Sequence, residues 1–116
     1  MKGYILLSHG SKVKTSNDAN KEILEKLRLN IKHIELAFLE LSEPDFESAV
    51  KKLKSLNIDS ITVLPLFLAP GKHVKEDVPI LASTFSKKYD IKITVLEHIG
   101  ANNEYINMIE NILLSN

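Results

Sequence analysis

The chain has 116 residues, 44% of them apolar and 26% charged, with 15 basic and 15 acidic side chains that cancel. That length suits one domain over residues 1–116, burying roughly two-thirds of its unfolded surface, and the balance excludes disorder, a fibrous architecture and a global field that would attract nucleic acid. Cysteine is absent, which removes disulfides, thiolate metal sites, iron–sulfur clusters and cysteine nucleophiles together, so histidine and carboxylate must do any metal chemistry.

In chain order, the first apolar run predicts a strand over Gly3 to Ser8 and breaks at Ser8-His9-Gly10-Ser11. A helix is expected from about Asn17 to Asn30, with Ile23, Leu24, Leu27 and Ile31 on one apolar stripe and Lys21, Glu22, Glu25, Lys26 and Arg28 facing water. His33 to Leu39 reads as the second strand, with His33 structural at its start and Glu40 closing it. Pro44 and Asp45 open a helix to Leu56, whose buried face is Ala49, Val50, Leu53 and Leu56. Ser60 to Pro65 is the third strand. The segment after it, Leu66 to His73, exposes apolar residues and turns through Pro70-Gly71. A helix of about Lys75 to Lys88 follows, opened by Asp77 and Pro79, then a strand over Ile91 to Leu96 and a helix over Asn102 to Leu114. Four strand–helix alternations predict an α/β fold: a three-layer sandwich with a four-stranded parallel sheet flanked by helices, flavodoxin-like in kind. No repeat, linker or low-complexity segment interrupts it. No run approaches membrane-spanning length and the start MKGYILLSHGS lacks a small-residue cleavage site, so a cytoplasmic protein without membrane contact is expected.

Right-handed crossovers put all strand C-termini on one edge, so loops 9–16, 40–44, 65–75 and 97–102 share it and His9, Glu40 and His73 converge. Ligands bind at that edge of an α/β sheet. Two imidazoles and a carboxylate with positions left open suit a borderline divalent first-row metal such as cobalt, nickel, iron or zinc. Taken singly, each residue has a plainer reading. His9 at a strand end can be a hydrogen-bonded structural side chain, Gly10 serves the turn, Ser11 can donate a hydrogen bond, and Glu40 alone is a solvated strand end. Leu66, Phe67 and Leu68 can pack on the next helix or form an apolar wall for a large flat ligand. Leu68, Ala69 and Pro70 would floor such a site, bordered by Lys72 and Lys75, with Gly71 a further substrate-contact candidate; Lys12 and Lys14 form another local basic cluster. Ser11 and Glu43 join the substrate-contact candidates, Glu43 with the alternative of starting the helix after Pro44. His98 sits on the same edge without a motif.

With these residues in hand, the chain resembles the short sirohydrochlorin chelatases, the small CbiX-type cobalt or nickel chelatases of the class II chelatase superfamily. The resemblance rests on the ordered set HGS at 9–11, AFLEL-x-EP at 37–44, PLFL-x-x-G-x-H at 65–73 and D-x-P at 77–79, and covers nearly the whole length. The chain departs from it at Ile99-Gly100-Ala101-Asn102-Asn103, where relatives often read LG and then a proline-containing stretch. The resemblance implies a chelatase-like fold and a lyase that inserts Co2+, Ni2+ or Fe2+ into sirohydrochlorin, in cobalamin, nickel-tetrapyrrole or siroheme biosynthesis. The metal is a substrate, and neither a nucleotide nor an iron–sulfur cluster is needed. It further implies that His9 and His73 are metal ligands, that His9 also accepts protons, that Glu40 completes the site or takes up protons, and that a homodimer holds the site between subunits. Insertion replaces two pyrrole N–H protons by a metal ion, and neutral imidazole, with an ordinary pKa of about 6.5, can both ligate the ion and accept a proton.

Two other readings remain open at this point. Mannose-type phosphotransferase domains carry a phosphorylatable histidine in a Ser-His-Gly turn after their first strand, and His9 fits that role, which leaves Glu40, the apolar segment and His73 without one. A non-catalytic metal carrier would use the same histidines without turnover.

Overall fold

The computed structural model describes every residue of the chain except Pro70, together with the backbone but not the side chain of His73. Strands β1 (Lys2–Ser8), β2 (Ile34–Phe38), β3 (Ser60–Pro65) and β4 (Lys92–Val95) alternate with helices α1 (Lys14–Leu27), α2 (Phe46–Ser55), α3 (Lys72–Tyr89) and α4 (Asn103–Leu114), the last preceded by a short 3-10 turn at Ile99–Ala101. All strand pairings are parallel, in the order β2-β1-β3-β4. The expected α/β architecture with a four-stranded parallel sheet is therefore present. The order reverses direction between β1 and β3, and the crevice above that switch point is where open α/β sheets bind ligands.

The core explains the strand pattern. β1 is central, and Ile5, Leu6 and Leu7 are all buried, as a strand covered on both faces requires. One face packs under α2 and α3 through Ile5, Leu7, Val50, Leu53, Ile61 and Val63. On the other, α1 lays Leu24 over Leu6, Ile34, Leu36 and Phe38. β3 and β4 instead alternate, with Ile61, Val63 and Pro65 buried and Thr62 and Leu64 only half-buried. The continuous apolar runs of the sequence thus do not mean equal cover everywhere, because α4 buries none of its side chains.

Several element boundaries differ from the sequence expectation. α1 begins at Lys14 rather than Asn17, because Lys14, Thr15 and Ser16 carry no apolar signal although the backbone is already helical. Ile23, assigned to its apolar stripe, is 45% exposed, and Leu56, assigned to the buried face of the second helix, is the exposed C-cap of α2. α3 begins at Lys72, with Gly71 as N-cap, and this corrects the positions of three residues. His73 is in its first turn rather than in a loop. Asp77 and Pro79 lie inside the helix rather than at its start. Pro79 has no N–H to offer the Lys75 carbonyl, so helical continuity there depends on packing of Val78 and Ala82, both buried.

Asp45 does cap α2, its carboxylate accepting from the Ser48 N–H at 2.8 Å. The hydrogen bonds from Ser48 hold this carboxyl below its ordinary 3.8. A depressed folded-state pKa adds stability that is present above the unfolded value and lost as pH falls through the folded one. Asp45→Ala is expected to cost about 1 kcal/mol at pH 7, with the gap from the parent narrowing below about pH 4; urea denaturation at several pH values measures it, and a gap that does not narrow contradicts this account.

Candidate metal-handling site

The ladders run past the strand ends and carry two loops together on the C-terminal edge. The Leu39 N–H donates to the Ser8 carbonyl at 2.9 Å and the Glu40 N–H to the His9 carbonyl at 3.0 Å. Gly10 sits between them with φ +97°, and a Cβ there would stand 1.8 Å from the Glu40 carbonyl oxygen. Only glycine lets the two backbones approach so closely. The result is that His9 Nε2 lies 2.8 Å from Glu40 Oε1, with both side chains about half exposed. Phe67, from the segment after β3, meets the His9 ring edge-on at a centroid distance of 6.4 Å.

Around this pair opens a cleft of about 320 Å³ lined by His9, Leu39, Glu40, Asp77, Ile80 and Leu81. Sequence reasoning placed His9 and Glu40 here. It missed Asp77, read as a cap, and Ile80, which is 62% exposed beside the pair. The available signal was position: Asp77 stands four residues after His73, one turn further along the same helix. The His73 side chain and Pro70 lie outside the described residues, so their assigned contacts do too. Among the described residues, no third imidazole or carboxylate joins His9 and Glu40 in a group able to hold a metal ion.

The remaining candidates divide. Leu68 is 64% exposed on the same edge, as an apolar floor would be, and Ala69, Gly71 and Lys72 are exposed with it. The Gly100 N–H donates to the Phe67 carbonyl at 3.0 Å, and a Cβ on Gly100 would meet the Leu68 carbonyl oxygen at 1.8 Å. The last loop therefore packs against the backbone of Phe67 and Leu68. The Ser11 hydroxyl accepts from the Val13 N–H at 3.0 Å, closing a turn into α1. Glu43 is exposed and does not line the cleft. Lys75 and His98 line a different, larger cavity of about 580 Å³ on the opposite flank of α3, between that helix and β4. Lys75 thus does not border the His9 cleft as the sequence suggested.

An imidazole nitrogen and a carboxylate oxygen in contact, open to solvent and rimmed by apolar side chains, can share a proton or hold one side of a small cation while leaving room for a flat ligand. The chain is similar to several known proteins. The sirohydrochlorin cobaltochelatase of Sulfolobus acidocaldarius is 34% identical over 110 residues, covering 95% of this chain and 88% of that protein. The sirohydrochlorin cobaltochelatase of Sulfurisphaera tokodaii is 36% identical over 100 residues, covering 86% of this chain and 81% of that protein. Among solved structures, the CbiX protein of Marinobacter aquaeolei VT8, assigned to cobalamin (vitamin B12) biosynthesis, superposes with a TM-score of 0.90 at 29% identity, over 99% of this chain and 96% of that one. The cobalt complex of the sirohydrochlorin chelatase SirB from Bacillus subtilis subspecies spizizenii gives 0.82 at 26% identity, over 98% of this chain but 50% of that one. The CbiX family model matches residues 3–115, and the chain belongs to the CbiX family.

Proposed function

We propose that this chain is a sirohydrochlorin cobaltochelatase that inserts Co2+ into sirohydrochlorin for cobalamin biosynthesis, acting as one domain and without a nucleotide. The observation that carries the reading is the 2.8 Å contact between His9 Nε2 and Glu40 Oε1 at the mouth of the cleft. Insertion consumes one metal dication and the macrocycle and releases two protons, so ligand and proton acceptor must stand together at one face of the ring. In this reading His9 ligates the incoming ion, the half-exposed Glu40 takes up the two pyrrole protons one after the other and passes each to solvent, and His73, carried by the family motif onto the first turn of α3, is the second ligand. Both His9 and Glu40 are half exposed, so an ion can reach them from solvent and leave them for the ring. The exposed Leu68 and Ile80 supply apolar contact for the macrocycle.

The cleft is one-sided, which favours a homodimer that closes it. The length of a relative supports a second copy as the missing wall: the chain spans half the length of the cobalt-bound SirB it superposes on.

The test is to mix the protein anaerobically with sirohydrochlorin and Co2+ and follow the absorption spectrum at several protein concentrations. Insertion faster than the uncatalysed reaction is expected, with activity per chain rising as dimers form. No acceleration at any concentration sinks the function; activity per chain independent of concentration in a sedimenting monomer sinks the dimer.

A further inference from the structure

Ser8 and Asn17 are the buried polar residues among the described ones, each 8% exposed within an otherwise apolar interior. Both belong to the His9 turn or grip it. Asn17 clasps the main chain of Ser11 at two points: its Oδ1 accepts from the Ser11 N–H at 3.0 Å and its Nδ2 donates to the Ser11 carbonyl at 2.7 Å. Asn20 donates from Nδ2 to the Ser8 hydroxyl at 3.0 Å. The two asparagines stand three residues apart on one face of α1, so a single helix face holds the residue before His9 and the second residue after it.

We propose that Asn17 and Asn20 are positioning residues that set the His9–Glu40 pair, an inference that rests on the function proposed above and names residues it does not use. The physical need is specific. The His9 ring is half exposed and, among the described residues, touches Glu40 and the edge of Phe67, so ring placement depends on the backbone beneath it. That backbone is at its most constrained at Gly10, pressed on the Glu40 carbonyl. A buried amide satisfied at both ends by the main chain of one residue is costly to leave unmade and gives a unique arrangement. Residues that orient a metal-handling imidazole from behind it change affinity or activity by about tenfold to a hundredfold when removed.

The experiment compares Asn17→Ala, Asn17→Leu and Asn20→Ala with Glu40→Ala and with Glu25→Ala on the solvent face of α1. Histidine-ring NMR without metal or substrate reads the pair directly, and Glu40→Ala defines the His9 signals of a broken pair. The asparagine variants are expected to shift the His9 signals toward those of Glu40→Ala while His33 and His98 stay in place, and to lower kcat for cobalt insertion about tenfold with KM for sirohydrochlorin within about twofold. Asn17→Leu keeps the side-chain volume and Asn20→Ala loses a single bond, so a folded variant remains available if Asn17→Ala fails to fold. Unchanged His9 signals in the folded variants overturn the proposal. Shifted signals in a protein whose parent form inserts no cobalt leave the positioning role standing and overturn the chelatase reading instead.

Discussion

Replacing His9 by alanine is expected to abolish cobalt insertion, by at least about a hundredfold, while leaving the melting temperature within a few degrees of the parent. The two halves of that result come from one fact. The His9 side chain is 49% exposed and touches Glu40 and Phe67 rather than the core. Its loss removes little buried area, so the stability cost falls in the range of about 0.5 kcal/mol typical of surface positions. Chemically, His9 supplies the nitrogen donor among the described lining residues of the cleft, and it is the donor that stands against the proposed proton acceptor Glu40. Glu40→Gln keeps a hydrogen-bonding oxygen 2.8 Å from the ring but loses the charge and the proton-accepting capacity, and its effect is expected to be smaller, about tenfold. Insertion rates and thermal melts on the two variants decide this. Near-parental turnover in His9→Ala removes the residue from the chemistry.

Gly10→Ala is expected to damage both stability and activity. A Cβ at that position would sit 1.8 Å from the Glu40 carbonyl oxygen, and the backbone φ of +97° is one that residues with side chains rarely adopt. The backbone penalty alone is about 1–2 kcal/mol, and separating the loops breaks the Glu40 N–H to His9 carbonyl bond as well. A total of at least about 2 kcal/mol lowers Tm by roughly 8 °C for a chain of this size. Insertion should fall by about the same factor as in His9→Ala, because the imidazole and carboxylate no longer meet. A stable, fully active Gly10→Ala protein would mean that the close approach of the two loops is not what assembles the pair.

The sheet, the helix order and the convergence of His9 with Glu40 were legible because they follow from period and parallel connection. A six-residue apolar run such as Ser60–Pro65 has few alternatives once helical segments flank it. The start of α3 was not legible. Gly71, Lys72 and His73 precede the apolar period, which begins at Val74, and Pro79 imitates an early-turn proline, so the helix is expected one turn too late. That displacement moved His73 from loop to helix and hid Asp77 as a cleft residue. Lys75 was misplaced for the same reason, since its direction depends on where the helix begins. The asparagines of α1 drew no attention because polar residues at a helix start are ordinary, and only burial shows otherwise.

By itself the sequence determined the α/β class, the absence of thiol chemistry and the identity of the two groups that meet, His9 and Glu40, because composition, periodicity and strand ends are local properties of the chain. Only the tertiary structure decided the 2.8 Å contact between them, the pairing of the loops after β1 and β2 that carries it, the turning of Lys75 and His98 toward another cavity, and the exposure of α4. Those depend on which backbones approach one another, and such approaches are set by packing and by a glycine pressed against a carbonyl, neither of which has a signature in residue order.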